Sequence, residues 1–225
     1  LGVMAMYEIV RMTFKETNIV VLGLSSLAGA LLFLNEEISQ LQLYGLLFLI
    51  LVGMLATVVA TGHKIKLVEI GSIIFVTAYI FIGFYCLFMI RNLSLSHVAY
   101  LLLTIWFTDS FAYFGGMKFG KNKLSPKISP NKSIEGSVIG SLSSIVIALL
   151  FFYTTNIFSN LLVAIATTLV VSVVGQFGDL IESAYKREYQ VKDSSNLLPG
   201  HGGIFDRFDS VILSAPCLII LLSLF

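Results

Sequence analysis

Residues 101–116 read LLLTIWFTDSFAYFGG, and Asp109 is the one charge in the stretch. A helix that is apolar on all sides belongs in the core of a large protein or in a membrane. Length decides between the two. The apolar segment runs from about 95 to 117, and about 20 such residues cross the ~30 Å of hydrocarbon in a bilayer. Six other stretches read the same way, at 19–34, 43–60, 70–90, 137–158, 159–181 and 206–225, the first of them short. The expected fold class is all-α: a polytopic integral membrane helical protein with about seven complete transmembrane helices. Residues 1–12 read as the tail of a further apolar segment, an N-terminal partial segment whose native companion span or spans are expected to precede it.

Composition supports the same class. The 225 residues are 57% hydrophobic and 12% charged, against about 45–50% apolar and about 25% charged in soluble domains. Too little polar surface remains to cover a soluble enzyme, and the apolar content excludes a disordered chain. Cys86 and Cys217 lie far apart in apolar stretches, match no metal spacing and read as inert. The formal net charge of +1 points to no nucleic-acid partner. With the seven spans in place, thirteen of the fourteen Lys+Arg fall on one side of the membrane, Arg91 being the exception. The positive-inside rule makes that side cytoplasmic, and both long polar loops, about 118–134 and 182–205, face it. No repeat or separable soluble domain interrupts the chain, so residues 1–225 are expected to form a single membrane-embedded catalytic domain.

The few acids are informative by position. Asp109, Asp179, Asp206 and Asp209 sit in or beside apolar spans, where an ionisable residue is costly and a functional candidate by default. Asp179 and Glu182 are three apart on one helix, as are Asp206 and Asp209, and such pairs share a face. All-oxygen ligands suit Mg²⁺, particularly where phosphates complete the shell, and the Cys/His clusters of zinc sites are missing. Asp206 has a second reading, as a helix N-cap with Asp209 at N3. Between these acids runs a loop with Lys186, Arg187, Lys192 and Arg207, with Gly200, Gly202 and Gly203 allowing close backbone approach and His201 set between glycines. Cations, glycines and carboxylates together meet the needs of a polyphosphate with Mg²⁺.

The stretch 118–136, KFGKNKLSPKISPNKSIEG, is a second basic loop. Its Ser125-Pro126 and Ser129-Pro130 steps favour extended or turn geometry. Lys118, Lys121 and Lys127 read as readily as mere topology determinants or contacts to anionic lipid as they do as functional residues. Lys132-Ser133 is no P-loop ending, because the required glycines would fall at Pro126 and Asn131.

The stretch 183–209, SAYKREYQVKDSSNLLPGHGGIFDRFD, resembles the signature of phosphatidate cytidylyltransferases, the CDP-diacylglycerol synthases. Ser183, Lys186-Arg187, Lys192-Asp193, His201-Gly202-Gly203, Asp206-Arg207 and Asp209 stand at its fixed offsets. Upstream, FTDSFAYFGGMKFGKNKLSPKISPNKSIEG at 107–136 resembles the same family. Tyr185 replaces an aliphatic residue or Phe, and Ser133 replaces Thr; both keep bulk or hydroxyl. Residues 1–100 match only in being hydrophobic.

The resemblance implies a membrane nucleotidyltransferase of phospholipid biosynthesis that converts CTP and phosphatidic acid to CDP-diacylglycerol and pyrophosphate. Asp179 and Asp206 are then expected to ligate Mg²⁺, with a second monovalent cation such as K⁺ sharing them and Asp209 nearby. Lys186, Lys192, Asp193, His201 and Arg207 join these acids as expected catalytic residues. Asp109, Ser110, Lys123, Ser129, Lys132, Ser133, Arg187, Gly202 and Gly203 are expected to bind substrate. The implied setting is the plasma (inner) membrane of a bacterium, with the active site facing the cytoplasm and a homodimer as the common family state. A CTP-dependent polyprenol or lipid kinase would share this chemistry but release CDP. A cation transporter would use the acids and leave the basic loop without a role.

Overall fold

A computed structural model describes residues 1–34, 37–62, 64–195 and 202–224. Nine helices and one hairpin are formed by the described residues: α1 (Gly2–Phe14), α2 (Ile19–Phe33), α3 (Gln40–Ala60), α4 (Leu67–Leu93), α5 (Leu95–Phe119), β1 (Lys123–Ser125), β2 (Ser129–Ser133), α6 (Ile134–Ser143), α7 (Ile145–Thr154), α8 (Leu161–Glu188) and α9 (Ile204–Leu224). The all-α membrane class holds. Six helical stretches are long and apolar enough to cross a membrane, taking 134–154 as one, and α2 is a shorter apolar helix. At 1.5 Å per residue its 15 residues reach only about 22 Å, so the expected count of seven becomes six full-length helices and a short one.

Local sequence sets the helix ends. Asn18 caps α2 by accepting from Val21 N at 3.1 Å. Ser39 and Gln42 form a reciprocal capping box at α3, and Ser94 caps α5 by accepting from His97 N. The stretch expected as one span at 137–158 is interrupted at Ser144. Ser143 and Ser144 donate back to the carbonyls of Gly140 and Ser141 at 2.7 and 2.6 Å, a pattern that bends helices. The second polar loop is shorter than expected, because α8 continues through Lys186 and Arg187 to Glu188. In the first, the two Ser-Pro steps flank the turn of an antiparallel hairpin in which Lys123 faces Ser133 and Ser125 faces Ser129.

The chain divides into two compact units, Leu1–Tyr85 with Tyr189–Arg207, and Cys86–Glu188 with Phe208–Phe225. In the first, the Phe81 ring lies over glycines: a Cβ on Gly2 would sit 2.7 Å from it, and one on Gly29 would overlap it. Phe33 meets Tyr85 edge-on at 5.4 Å. In the second, Tyr100 is buried between Phe151 and Phe158 at 5.4 and 5.2 Å. Its hydroxyl lies 2.7 Å from Thr168 Oγ1, which satisfies the polar end of an otherwise apolar core. Cys86 and Cys217 are free thiols, each half-buried.

The second unit is knit by small residues. A Cβ on Gly136 would fall 2.5 Å from the Ala112 carbonyl oxygen, and one on Gly140 would fall 2.6 Å from that of Thr108. This four-residue spacing lets α6 lie against the α5 backbone, as small residues do in membrane helix pairs. Beside it, Thr108 Oγ1 donates to Ser172 Oγ at 2.8 Å, Ser172 to Ser141 at 3.2 Å, and Gln176 Nε2 to Ser141 at 2.9 Å. These bonds join α5, α6 and α8 where no water is available. Replacing Gly140 with Leu is expected to destabilise the unit by about 1–3 kcal/mol through overpacking, read as a lower melting temperature in detergent, while Leu142→Ala on the exposed face of α6 leaves it unchanged.

Candidate active site

In the second unit, α8 and α9 bring three carboxylates together. Asp179, Glu182, Ser183 and Lys186 follow one another along one face of α8, and Asp209 comes from α9. One oxygen from each of Asp179, Glu182 and Asp209 lies within 4.8 Å of the others. Gly178 makes this approach possible. A Cβ there would be 2.5 Å from the Asp209 carbonyl oxygen and 3.1 Å from Ser210 Cα, so only glycine lets the α9 backbone rest on α8.

Two lysines face the acids. Lys132, from β2, is ion-paired with Asp179, both side chains being 29% exposed. Lys186 pairs with the buried Glu182 at 2.7 Å, one turn along α8. Ser183 Oγ donates to Asp179 Oδ1 at 3.4 Å, and Asp209 Oδ1 accepts from Ser210 N at 2.6 Å. Asp109 on α5 lies within electrostatic range of Asp179, Asp209 and Lys132. Among the described residues, four carboxylates and two ammonium groups stand here. Every donor in the triad is a carboxylate oxygen, the set that a hard divalent cation such as Mg²⁺ selects.

The hairpin that carries Lys132 is itself tethered. Arg187 Nε donates to the Ile128 carbonyl at 3.2 Å. Glu135 accepts from the backbone N–H groups of Lys121 and Asn122 at 3.1 Å and from Asn122 Nδ2 at 2.7 Å. Ser133 Oγ caps α6 by accepting from Gly136 N at 3.1 Å. Arg187 and Ser133, expected to bind substrate, therefore also fix the loop in place.

The first unit holds the ends of the other polar loop, and a residue that sequence reasoning passed over. Glu8 on α1 is fully buried. Its Oε1 accepts from Ile204 N and Ser195 Oγ, both at 2.8 Å, and its Oε2 from Phe205 N at 2.9 Å and Ser194 Oγ at 2.8 Å. Asp206 Oδ2 accepts from Gly203 N at 2.7 Å, Ser194 N at 2.9 Å and Ser194 Oγ at 2.8 Å. The capping expectation needs correction: α9 begins at Ile204, so Asp206 is its third residue, reaching back to the Gly203 amide, and Asp209 lies one turn further on. Gly202 adopts the positive φ that the sequence allowed for, +75°, and its missing side chain makes room for Asp206; a Cβ on Gly203 would strike Ser194 Oγ and the Glu8 carboxyl group. They accommodate the protein's own carboxylates.

The expected residues thus divide. Asp109, Lys132, Asp179, Lys186 and Asp209 gather in the second unit together with Glu182, which the spacing had paired with Asp179. Asp206, Gly202 and Gly203 are engaged in the first unit, where Lys192, Asp193 and Arg207 are exposed. Ser110 and Lys123 are exposed and Ser129 is half-buried, and no described hydrogen bond or ion pair links them to the carboxylates. His201 and Gly200 lie outside the described residues. Glu8 had a visible signal, a lone acid in the apolar run GVMAMYEIVRM, by the same rule that singled out Asp109.

Comparison with known proteins now bears on this arrangement. The sequence model of the family described as "Cytidylyltransferase family" matches residues 1–225. The chain is similar to the phosphatidate cytidylyltransferase of Bacillus subtilis (strain 168), at 40% identity over all of this chain and 87% of that protein. It is likewise similar to those of Staphylococcus aureus (strain COL), at 35%, and Staphylococcus haemolyticus (strain JCSC1435), at 34%, each over 99% of this chain and 86% of the relative.

The α8–α9 contact gives a direct test. Gly178→Ala is expected to push Asp209 away from Asp179 and Glu182 and to weaken Mn²⁺ binding about tenfold, the order found when residues supporting metal ligands are changed. Electron paramagnetic resonance of the detergent-purified protein titrated with Mn²⁺ reads it.

Proposed function

Because the chain belongs to the cytidylyltransferase family, we propose that it joins CTP to phosphatidate in the membrane, giving CDP-diacylglycerol and pyrophosphate. The carrying observation is the triad of Asp179, Glu182 and Asp209 with Lys132 and Lys186 set against it.

In this reaction an oxygen of the lipid phosphate bonds to the α-phosphorus of CTP while the bond from that phosphorus to the bridging oxygen breaks, and pyrophosphate leaves. No general base is required, since a phosphate monoester with a second pKa of about 6 is already largely ionised at neutral pH. Positioning and charge neutralisation carry the catalysis. Asp179, Glu182 and Asp209 hold the divalent ion in this reading. Bound there, Mg²⁺ supplies Lewis-acid neutralisation of phosphate oxygens. The same carboxylates would also hold a monovalent cation such as K⁺. Lys132 and Lys186 exchange their carboxylate partners for phosphate oxygens as substrate enters, and Asp109 and Ser110 line the approach along α5.

Asp206 acts here through the loop, its carboxylate being occupied by Ser194 and Gly203. Lys192 and Arg207, in the first unit near the ends of that loop, are the cations offered there to nucleotide phosphate. The site faces the cytoplasm of a bacterial plasma membrane in this reading, as the positive-inside rule leads one to expect and as a cytosolic nucleotide substrate requires.

The test supplies purified protein with phosphatidate micelles, Mg²⁺ and CTP labelled at the α-phosphate. Label is expected in the lipid fraction; labelled CDP in the aqueous phase would instead establish a kinase. Asp179→Asn and Asp209→Asn are each expected to lower turnover by about 100-fold or more, the scale of losing one electrostatic stabiliser of the transition state, with the melting temperature retained. Chelation of divalent ions by EDTA abolishes the reaction and added Mg²⁺ restores it.

A further inference from the structure

Glu8 makes four hydrogen bonds, two from each side of the loop between α8 and α9. Ser194 and Ser195 stand before the stretch 196–201, and Ile204 and Phe205 stand after it. Fully burying a carboxylate is unfavourable unless its lone pairs are matched by donors, and here both oxygens are matched twice. Two of the donors are first-turn amides of α9, which have no partner within the helix and which the helix dipole makes favourable for an anion. Glu8 thus occupies the place that a bound anion would otherwise take.

The rest of the arrangement follows from that occupancy. Ser194 Oγ lies 2.8 Å from both Glu8 Oε2 and Asp206 Oδ2, so one hydroxyl hydrogen serves two carboxylates and couples α1 to the signature acid. Gly203 has no space for a side chain because Glu8 and Ser194 fill it. Lys192 lies two residues before Ser194, and Arg207 two residues after Phe205. Pinning 194–195 and 204–205 to one carboxylate therefore ties down the backbone from which these two cations extend.

We infer that Glu8 is a positioning residue of the transferase, an internal anion on α1 that clasps residues 194–195 and 204–205 and so fixes the backbone that presents Lys192 and Arg207 to nucleotide phosphate. This rests on the proposed use of CTP. It assigns to the first helix, which carries none of the motif residues, a part in nucleotide binding.

The discriminating variant is Glu8→Gln, which keeps size but replaces one acceptor oxygen by an NH₂ group facing other donors. It is expected to raise the KM for CTP about tenfold or more, with the KM for phosphatidate changed little. Hydrogen exchange is expected to speed up at the amides of 194–195 and 204–205, while those of α5 and α8 keep their protection. Glu8→Asp, which retains the charge on a shorter arm, recovers part of the CTP affinity. A KM for CTP within twofold of wild type in Glu8→Gln would overturn the inference, as would equal rises in KM for both substrates. Should Glu8→Gln not fold, Ser195→Ala removes one of the four bonds and leaves the carboxylate in place; a several-fold rise in the CTP KM supports the clasp, and no change overturns it. A wild-type protein without CTP turnover would sink the proposed function instead, and hydrogen exchange in the variants would still decide whether Glu8 holds the loop.

Discussion

A carboxylate placed in an apolar helix has to be met by hydrogen-bond donors or by cations, because hydrocarbon offers it neither. That requirement organises this protein. Glu8 is met by two serine hydroxyls and two helix-terminal amides. Asp206 is met by Ser194 and Gly203. Asp179 and Glu182 are met by Lys132 and Lys186, and the last two acids stand beside a third from α9. The first pair is closed by the protein's own donors. The second gathering sets carboxylates from two helices against lysines from β2 and α8.

Glycine is what allows the backbone to satisfy these demands. Gly178 lets α9 lie on α8, Gly136 and Gly140 let α6 lie on α5, and Gly203 gives way to Glu8. In each case a Cβ would land on a backbone or carboxyl atom that has little freedom to yield. The sites consequently depend on absent side chains as much as on the acids and bases themselves.

The membrane class, the helices and the acids Asp109, Asp179 and Asp209 were legible in the sequence because hydropathy and isolated charge are local properties. The pairing of Asp179 with Glu182 was legible from helical spacing. The same spacing failed for Asp206 and Asp209: Asp206 stands close enough to the start of α9 to turn back to Gly203, while Asp209 turns toward Gly178, and that choice is made by helix contacts far apart in sequence. Glu8 was missed although it obeyed the rule applied to Asp109. Its partners lie more than 180 residues away, so no local pattern says what meets it. The interruption at Ser144 was hidden because serine is compatible with an unbroken apolar helix until its hydroxyl finds a carbonyl.

The 28 residues of α8 extend about 42 Å at 1.5 Å per residue, well beyond a hydrocarbon layer of ~30 Å. The surplus is not distributed evenly, since Asp179, Glu182, Lys186 and Arg187 all lie in its C-terminal third. A helix built in this way has length enough for its charged end to stand among lipid headgroups. A phospholipid already keeps its phosphate at that level, so it can arrive by lateral diffusion within its own leaflet, without its acyl chains being lifted into water. The length of one helix thus matches the depth of the chemistry to the depth at which one of the reactants floats.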